Sequence, residues 1–535
     1  MSDLRTWRTA AMGRRGAVAS NHPLATDAGL TVLKNGGNAF DAAVAVATTI
    51  AVVEPQSNGV GGDAFFLLWQ ASEERATVIH AAAPAAAAAT PELYRDGIPH
   101  TGALAAMPPG APAGWLHLAN RYGTRPAKEL FKAAVHYARE GFPASRRFCQ
   151  DAALFQAALV RDPGSAATYL RDGLPPKPGT PIKNPALART LEALAFGGDR
   201  ALFGGELGKD LVAFVRAQGG VISEEDLAVH QAEEHEPLSV SYRGLTVLNA
   251  APPSMGFALL LELKIAEAFE LDKLDPFGAD LVHTLVEAKK LAFAEREEFA
   301  GDPAHVEAPF GVLLGEDHGR ELAQRIDPKR ALSIPGRPTR EGDTTYFCVV
   351  DGWGNAVSGI QSIANPFGAA CLDPKTGILL NSRMVWFHTE PDHPNVVAPR
   401  KHVRNTINPP MAIKDGSVRA VWGTPGGDAQ VQVNLQTLIY AKEFAFDPQQ
   451  ALEAPRWTHF QPGTGSYYPH VDVDQLVIES RLAPEVLDEL SARGHNLTVV
   501  GPLEGSCAAS MILRDASGLL SAGADPRRDG WSAAF

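Results

Sequence analysis

The spacing of hydrophobic residues predicts two consecutive helices near the start of the chain. Apolar residues recur at helical spacing after His22-Pro23, and the segment Asn35-Gly36-Gly37 has the composition of a helix C-terminus. Asn38 is well placed to cap a second helix, which runs through Val53 and is almost wholly apolar. The first part of the chain therefore predicts ordered, largely buried helical structure.

Beyond residue 115 the spacing is mostly helical, and beyond residue 344 it changes to short strands. Predicted helices include 127–140, 256–270, 280–296, 431–444 and 484–493. Predicted strands are 64–69, 345–350, 356–363, 377–380 and 418–422. Residues 301–342 are rich in Pro, Gly and Arg and predict an exposed loop, above all at 334–338. The alanine tract 80–90 contains Pro84, so we predict a strand exit and a loop there.

Composition narrows the class of protein. The length of 535 residues suggests about two to four domains. The net charge of −13, without clustered Lys or Arg, argues against a nucleic-acid or membrane partner. The four cysteines form no CxxC pair, which fits a reducing compartment. The N-terminus has no apolar signal segment, and the apolar run 42–53 is too short to span a bilayer, so we expect a cytoplasmic protein.

Thr344 is the strongest candidate for chemistry because it directly precedes a strand-like run. If the bond between Asp343 and Thr344 is cut, the Thr344 hydroxyl becomes a nucleophile at a new N-terminus. Its own α-amine, with an unperturbed pKa of about 7.7–8, is then a base beside it. The ordinary alternative is that Thr344 and Thr345 simply begin a strand, since threonine favours strands.

Two glycine-rich segments have different predicted roles. Gly426-Gly427 follows a predicted strand and precedes a helical pattern, so it is either a tight turn or an oxyanion hole built from backbone N–H groups. A phosphate loop is disfavoured there because the lysine of a Walker motif is missing. The segment Asn58–Asp63 precedes its strand instead of following it, so we predict close backbone packing and not a dinucleotide site.

Metal and serine-hydrolase chemistry have no support in the sequence motifs. The sixteen histidines include no HExxH pair and no His/Cys cluster at ligand spacing, so we expect no metal and no cofactor. The GxSxG motif of a nucleophile elbow is also absent from the sequence.

Taken in order, these motifs resemble the γ-glutamyltransferase family of N-terminal-nucleophile (Ntn) hydrolases. The resemblance covers essentially the whole chain and is carried by 22–25, 36–44, 58–63, 344–351, 377–381, 425–427 and 454–456. It implies an α/β (α+β) fold, the Ntn-hydrolase four-layer αββα sandwich. It also implies a precursor that cuts itself before Thr344, giving a helix-rich large (α) subunit, 1–343, and a small (β) subunit, 344–535.

The resemblance also assigns catalytic roles. It implies that Thr344 attacks an amide carbonyl and forms an acyl-enzyme, while Gly426 and Gly427 hold the oxyanion. Ser362 falls where the family has a second hydroxyl facing the nucleophile. Water or an amine then releases the acyl group.

The chain departs from the family where transferases bind the glutamyl group. No arginine occurs in 79–84, the region that supplies the partner of the α-carboxylate. Trp386 replaces the acidic partner of the α-amine, and Arg383 replaces the glutamine before it. Asn405 and Thr406 replace paired serines, and Asn365 lies next to the position of the usual asparagine. Loss of both charged partners is expected to cost about 2–5 kcal/mol of glutamate recognition.

We therefore predict a self-processing N-terminal-threonine amidohydrolase, similar to the oxamate amidohydrolase and acylase branch, that cleaves a small carboxylate-bearing amide. Arg383 or Arg404 could pair with the substrate carboxylate, although structural salt bridges explain them equally well. One alternative is a classical γ-glutamyltransferase or glutathione hydrolase. An alternative of another class is an unprocessed binding protein on the same fold. The expected partners are a small molecule and the chain's own second subunit; a homodimer of processed units is compatible with the sequence but has no motif behind it.

Overall fold

The computed structural model describes residues 6–332, 344–470 and 474–535. The predicted loop at 334–338 and the predicted cleavage partner Asp343 lie outside the described residues. Within the described part of the chain, no helix has both the length and the apolar character needed to cross a bilayer.

The described residues form strands that belong mostly to two large sheets. The strands are β1 (Ala11–Gly13), β2 (Gly16–Ser20), β3 (Asp63–Gln70), β4 (Arg75–Ala81), β5 (Phe142–Pro143), β6 (Pro181–Ile182), β7 (Glu233–His235), β8 (Leu238–Tyr242), β9 (Leu245–Asn249), β10 (Thr345–Asp351), β11 (Ala356–Ser362), β12 (Met411–Lys414), β13 (Ser417–Gly423), β14 (Trp457–Phe460), β15 (Gln475–Glu479), β16 (Leu497–Val500), β17 (Ser510–Arg514), β18 (Leu520–Ala524) and β19 (Trp531–Ala534).

The helices lie mainly between the strands of the first half and after β13. They are α1 (Pro23–Lys34), α2 (Ala39–Val53), α3 (Ala111–Tyr122), α4 (Ala127–Leu130), α5 (Lys132–Glu140), α6 (Arg146–Leu154), α7 (Gln156–Leu159), α8 (Pro163–Tyr169), α9 (Pro185–Gly197), α10 (Glu206–Ala217), α11 (Glu224–Ala228), α12 (Gly256–Ala266), α13 (Ala279–Phe299), α14 (Phe310–Leu313), α15 (Glu316–Ala323), α16 (Ala429–Glu443), α17 (Pro448–Glu453) and α18 (Pro484–Ala492). Short 3-10 turns occur at Ala103–Ala105, Asp199–Ala201, Leu271–Lys273 and Arg383–Trp386.

Two seven-stranded antiparallel sheets face each other. Sheet I has the order β1-β18-β17-β13-β12-β9-β8, and sheet II has the order β19-β2-β10-β11-β3-β4-β7. Apolar side chains fill the space between them, among them Phe65, Leu67 and Tyr346 from sheet II with Met411 and Ile512 from sheet I. The alternation of side chains along a strand explains this arrangement, since every second residue of β10 faces sheet I.

Helices cover the outer face of each sheet. On sheet II, α2 packs against β10 and β11, and α3 packs against β3 and β4. On sheet I, α12 packs against β8 and β9, and α16 packs against β13. The layer order is therefore helices, sheet, sheet, helices, which confirms the predicted four-layer αββα sandwich.

The predicted capping of the first two helices is confirmed. Asn38 and Asp41 form a capping box, in which each side chain accepts a hydrogen bond from the other's backbone N–H, at 2.8 and 3.0 Å. All residues of α2 are buried, and nearly all are small or β-branched, so the helix fits between sheet II and the outer helices. The helix α1 ends at Lys34 with Asn35 as its C-cap, as its sequence indicates.

Other predictions hold with shifted boundaries, and one is wrong. The predicted helix 127–140 is two helices, α4 and α5, and the helix from Gly256 ends at Ala266. The predicted strand 377–380 is absent among the described residues, where Leu379 and Leu380 form only isolated bridges. Gly377 has a φ of +73° and lies against the start of α9, so the chain turns where a strand would have to extend.

Candidate active site

Thr344, Ser362 and Asp63 lie side by side at one end of sheet II. Thr344 directly precedes β10, and the pairing of Thr345 with Gln361 places it beside Ser362 at the end of β11. Ser362 in turn pairs with Asp63 at the start of β3. Because the register is antiparallel, the three side chains point to the same face of the sheet. This face is directed toward sheet I.

The two hydroxyl groups are in contact. Thr344 Oγ1 donates to Ser362 Oγ at 3.3 Å, and both side chains are buried. Ser362 Oγ also accepts a hydrogen bond from the backbone N–H of Ala364 at 2.9 Å. This second contact fixes the Ser362 rotamer, so that its oxygen remains beside Thr344.

The glycine turn lies across the sandwich from the strand that Thr344 precedes. Strand β13 packs on β10, and a Cβ added at Gly423 would lie 2.3 Å from the Tyr346 ring. The turn follows Gly423 at once, and Gly426 and Gly427 both have positive φ, +124° and +55°. Such backbone angles favour glycine, because other residues are strained there.

Hydrogen bonds orient this turn. The Gly426 carbonyl accepts from Ala429 N–H at 2.9 Å and the Gly427 carbonyl accepts from Gln430 N–H at 3.2 Å, both in the first turn of α16. In a trans peptide the N–H points opposite to the C=O, so the Gly427 N–H points away from α16. The turn is therefore built to present backbone donors on its other side.

Arg383 and Asp63 form a buried ion pair next to Ser362. Arg383 Nε donates to Asp63 Oδ2 at 2.8 Å, and Nη2 donates to the Ser362 carbonyl at 3.4 Å. Burial raises the pKa of Asp63 to about 6, although the charge and hydrogen bond of Arg383 oppose that rise. Nη1 of Arg383 has no hydrogen-bond partner within the described residues.

Trp386 covers the guanidinium of Arg383. The Arg383 Cζ lies 4.9 Å from the centre of the Trp386 ring, and that ring packs at 5.1 Å from the ring of Tyr467. Tyr467 donates through its hydroxyl to the Ala364 carbonyl at 2.8 Å, which joins this aromatic pair to the residues beside Ser362. The indole N–H of Trp386 is buried and has no acceptor in the part of the chain that the structure describes.

Arg404, Asn405 and Thr406 follow one another on a buried segment. Asn395 connects this segment to Trp386, because it donates to the Trp386 carbonyl at 2.7 Å and accepts from Arg404 N–H at 2.8 Å. Arg404 Nε and Nη2 and Asn405 Nδ2 have no partner among residues 6–332, 344–470 and 474–535, whereas Asn405 Oδ1 accepts from Ile407 N–H at 3.1 Å. Thr406 Oγ1 accepts from Gln430, in the first turn of α16, at 3.5 Å.

Asn365 occupies a different environment. It is only partly buried, and its backbone N–H donates to Ser382 Oγ at 3.1 Å. Ala364, the position where the sequence resemblance leads us to expect an asparagine, has a φ of +75°, a conformation that asparagine tolerates better than alanine does. The backbone therefore keeps a conformation suited to the residue that this chain lacks.

A charged network supports the glycine turn and was not found by sequence reasoning. Arg296, from α13, contacts both Asp428 and Glu297 at 2.5 Å, and Arg404 Nη1 contacts Glu297 at 2.7 Å. Burial alone would raise the pKa of Asp428, but Arg296 holds it below its usual value. No short motif joins these residues, because they come from three distant segments.

The comparisons with known proteins agree with this architecture. The model of the gamma-glutamyltranspeptidase family matches residues 25–535. The glutathione hydrolase-like YwrD proenzyme of Bacillus subtilis is 34% identical over 526 residues, covering 97% of this chain and 98% of the relative. The oxamate amidohydrolase proenzyme of Klebsiella pneumoniae is 34% identical over 530 residues, again covering 97% and 98%. The crystal structure of a cephalosporin acylase from Bacillus halodurans superposes with a TM-score of 0.90 at 31% identity, covering 100% of this chain and 98% of that chain.

The antiparallel sandwich enclosed by two helical layers is that of an Ntn hydrolase. The chain belongs to the gamma-glutamyltranspeptidase family. It is a hydrolytic enzyme of that family, as the sequence resemblance predicted, and the alternative of a non-catalytic binding protein is not retained.

Proposed function

We propose that the chain is a precursor that cuts itself between Asp343 and Thr344 and then hydrolyses a small carboxylate-bearing amide through an acyl-threonine intermediate. The observation that carries this proposal is the contact between the Thr344 and Ser362 hydroxyls at the start of a central strand. The two relatives described above are named as proenzymes and the similar solved structure is a cephalosporin acylase, which is consistent with the proposal.

In the proposed reaction, Thr344 Oγ1 attacks the amide carbonyl carbon and its proton passes to the α-amine of the same residue. Backbone N–H groups at Gly426 and Gly427 stabilise the negative charge that develops on the carbonyl oxygen. The C–N bond breaks, the leaving amine takes the proton, and an ester on Thr344 remains. Water then adds to the ester carbonyl, and its collapse releases the acid and restores the threonine hydroxyl. Ser362 orients the nucleophile by its hydrogen bond.

Unpaired donors support the choice of an anionic substrate. Burying an N–H group without an acceptor costs about 1–3 kcal/mol, so a group of them favours a ligand rich in acceptors. On Arg383, Trp386, Arg404 and Asn405, the buried donors that have no partner among the described residues are Arg383 Nη1, Trp386 Nε1, Arg404 Nε and Nη2, and Asn405 Nδ2. A carboxylate offers two acceptor oxygens and a charge that arginine matches well. We propose that Arg383, Trp386, Asn405 and Thr406 bind the substrate, with Asn365 at the margin.

The proposed subunits, 1–343 and 344–535, remain one body after cleavage. Strand β10 pairs with β2, and β11 pairs with β3, so strands from both segments alternate within sheet II. Separating them would break the ladder hydrogen bonds and expose the core between the sheets. Cleavage before Thr344 would therefore create the new N-terminus next to a strand that is already paired on both sides within sheet II.

Mass spectrometry of the purified protein tests the processing step. We expect two fragments, one of which begins at Thr344, and a Thr344→Ala variant that stays intact and inactive. Thr345→Val is the matched control, because it removes the neighbouring hydroxyl, which has no partner among the described residues. The control should process and turn over normally. An intact wild-type chain, or normal turnover by Thr344→Ala, would contradict the proposal.

The substrate class is tested by a panel assay. Oxamate, a glutaryl amide and a γ-glutamyl anilide are compared, with ammonia or amine release as the readout. We expect the amides that lack an α-amine to be favoured, because Trp386 offers an ammonium group no carboxylate partner. Glutathione hydrolysis is the second candidate, favoured by the 34% identity to the glutathione hydrolase-like relative. Faster turnover of the anilide, stimulated by a dipeptide acceptor, would favour that candidate.

A further inference from the structure

Three imidazoles and a carboxylate gather at the edge of sheet II, away from the nucleophile. Strand β7 is the edge strand, and its pairing with β4 places Glu233 opposite His80 and His235 opposite Val78. Residues opposite each other and residues two apart share a face of the sheet, so His80, Glu233 and His235 lie on the same side. His402, on the segment that leads to Arg404, packs against this group.

The distances suit a shared metal ion. One ligand atom from each of His80, Glu233 and His235 lies within 4.8 Å of the others. The His80 ring centre is 6.0 Å from that of His235 and 5.1 Å from that of His402. Two imidazoles bound to one tetrahedral zinc, with Zn–N bonds of about 2.0–2.1 Å, have ring centres roughly 5 Å apart. Small rotations of the two exposed side chains would complete the site.

His80 provides an independent indication of a ligand. It is buried, with 5% of its surface exposed, and its Nε2 has no hydrogen-bond partner in the described parts of the chain. A buried imidazole with an unpartnered ring nitrogen is a suitable metal ligand, because neutral histidine binds metals through Nδ1 or Nε2.

Charge distinguishes this group from two other His/Glu groups. In one, Glu287 is paired with Lys290 at 2.8 Å and its two histidines are hydrogen-bonded to each other. In the other, the carboxylate of Glu297 is occupied by two arginines. Within the described residues, Glu233 has no Lys or Arg in ion-pair contact, and its only such partner is His235 at 3.1 Å. The Glu233 carboxylate is therefore not neutralised by a Lys or Arg side chain among the described residues.

We propose that His80, Glu233 and His235 form a binding site for a divalent transition metal such as Zn²⁺. Two imidazoles and one carboxylate are a common zinc ligand set, and solvent access to the exposed side of the site leaves the fourth position to water. The ion would fasten the short edge strand β7 to β4. It would also lie beside His402, and so next to the segment that carries Arg404 and Asn405.

His402 lies beside the proposed site, with its ring centre 5.1 Å from that of His80. The sequence did not predict this site, because the ligands are distant in sequence and form no recognised spacing. Only the antiparallel pairing of β4 with β7 brings them together.

Zinc binding to metal-free, tag-free protein tests the proposal. We expect about one Zn²⁺ per chain by isothermal titration, and Co²⁺ should give the visible spectrum of a tetrahedral site. The variants Glu233→Gln and His235→Ala change exposed side chains and should leave the fold intact. Each should weaken zinc binding roughly tenfold or more, and the rise in melting temperature on zinc addition should shrink in parallel.

Two controls make the result specific. His136→Ala removes an exposed imidazole on α5 and should leave zinc binding unchanged. His393→Ala removes a histidine of the group around Glu297 and should also leave it unchanged. Absence of stoichiometric zinc binding, binding that survives in both edge variants, or binding lost in His393→Ala would overturn the proposal. The readout is metal binding, so a failure of the proposed amidase activity would not affect it.

Discussion

Arg383 and Asp63 form an ion pair almost fully removed from solvent, with Nε 2.8 Å from Oδ2, directly beside Ser362. The pair is neutral as a unit, which limits the cost of burying the arginine. Asp63 binds only one edge of the guanidinium, and Nη1 remains without a described partner. The arginine is thus held in one orientation by Asp63 while keeping a donor for a ligand.

Replacing Arg383 alone should damage both stability and recognition. In Arg383→Gln the Asp63 carboxylate is left buried without its cation, and we expect the free energy of unfolding to fall by about 3–5 kcal/mol. The double variant Asp63→Asn with Arg383→Gln removes both charges and should recover much of that loss. We expect the KM for a carboxylate-bearing amide to remain at least tenfold raised in the double variant. Urea denaturation and steady-state kinetics measure the two effects separately.

Arg456 provides the matched control for this experiment. It forms another buried ion pair, with Asp525 at 2.6 Å, outside the proposed site. Arg456→Gln should destabilise the protein, by less than Arg383→Gln because Arg527 Nη1 remains 3.1 Å from Asp525, and it should cause no specific change in KM. If the Asp63/Arg383 double variant binds the substrate normally, the pair is structural only.

The indole N–H of Trp386 should contribute to substrate binding. Trp386→Phe keeps an aromatic ring over Arg383 and removes a donor that has no described partner. If that donor bonds the substrate, we expect its loss to cost about 0.5–1.5 kcal/mol, or a several-fold rise in KM. Trp69→Phe is the control, since its buried indole N–H also has no described acceptor but points from β3 into the space between the sheets. Equal KM values for the two variants would refute the binding role.

The glycine turn should not tolerate a side chain at Gly426. A Cβ there would lie 2.2 Å from Cys507 Sγ, and the φ of +124° is unsuited to alanine. We expect Gly426→Ala to displace the turn and reduce kcat by about 10²–10³, the usual effect of losing one oxyanion donor. The measurement is single-turnover acylation with an activated substrate.

Gly518→Ala separates backbone strain from loss of the donor. Gly518 has a φ of +83° but lies in the exposed turn between β17 and β18, where an added Cβ meets no backbone and only Arg514 at 3.6 Å. It should cost about 1–2 kcal/mol of stability and leave kcat unchanged. A Gly426→Ala enzyme with normal acylation would contradict the assignment of the turn.

The sequence predicted the parts of the fold that local patterns control. Capping at Asn38, the strand that begins after Thr344 and the glycine turn after β13 depend on neighbouring residues, so a single chain segment contains the information. The segment 58–63 was correctly expected to pack closely, since Gly61 and Gly62 have no room for a Cβ beside Leu379 and Ser362. The predicted strand at 377–380 is wrong. Gly377 packs closely against the start of α9, so the chain turns there despite its apolar sequence.

Long-range electrostatic partners could not be predicted in this way. In the sequence, Asp63 only marks the end of a glycine-rich segment. In the structure it forms an ion pair with Arg383, which nothing in that segment indicates. The contacts of Arg296 with Asp428 and Glu297 join α13 to the glycine turn, and nothing in the local sequence of either reveals the other. The candidate nucleophile came from a motif, whereas the surroundings that select its substrate come from the tertiary fold.

The helix cap at His22 should make stability depend on pH. His22 Nδ1 accepts a hydrogen bond from Leu24 N–H at 3.2 Å, which a protonated ring cannot do. Burial lowers the pKa of His22 from 6.5 to about 4. Below pH 6.5 the unfolded chain therefore binds a proton that the folded chain does not, so this contribution to stability is lost as the pH falls from 6.5 toward 4. The expected loss from this residue is about 2 kcal/mol between pH 7 and pH 5.

His22→Asn tests this effect, because asparagine caps a helix as well and does not titrate. We expect the variant to lose less stability than the wild type when the pH is lowered from 7 to 5, as measured by denaturant midpoints at each pH. A slope remains, because burial also lowers the pKa of other histidines, including His230 and His495. His136→Asn, at an exposed position, should match the wild type throughout. If stability falls with pH by the same amount in His22→Asn and the wild type, then folding does not change the protonation of His22, and this prediction is wrong.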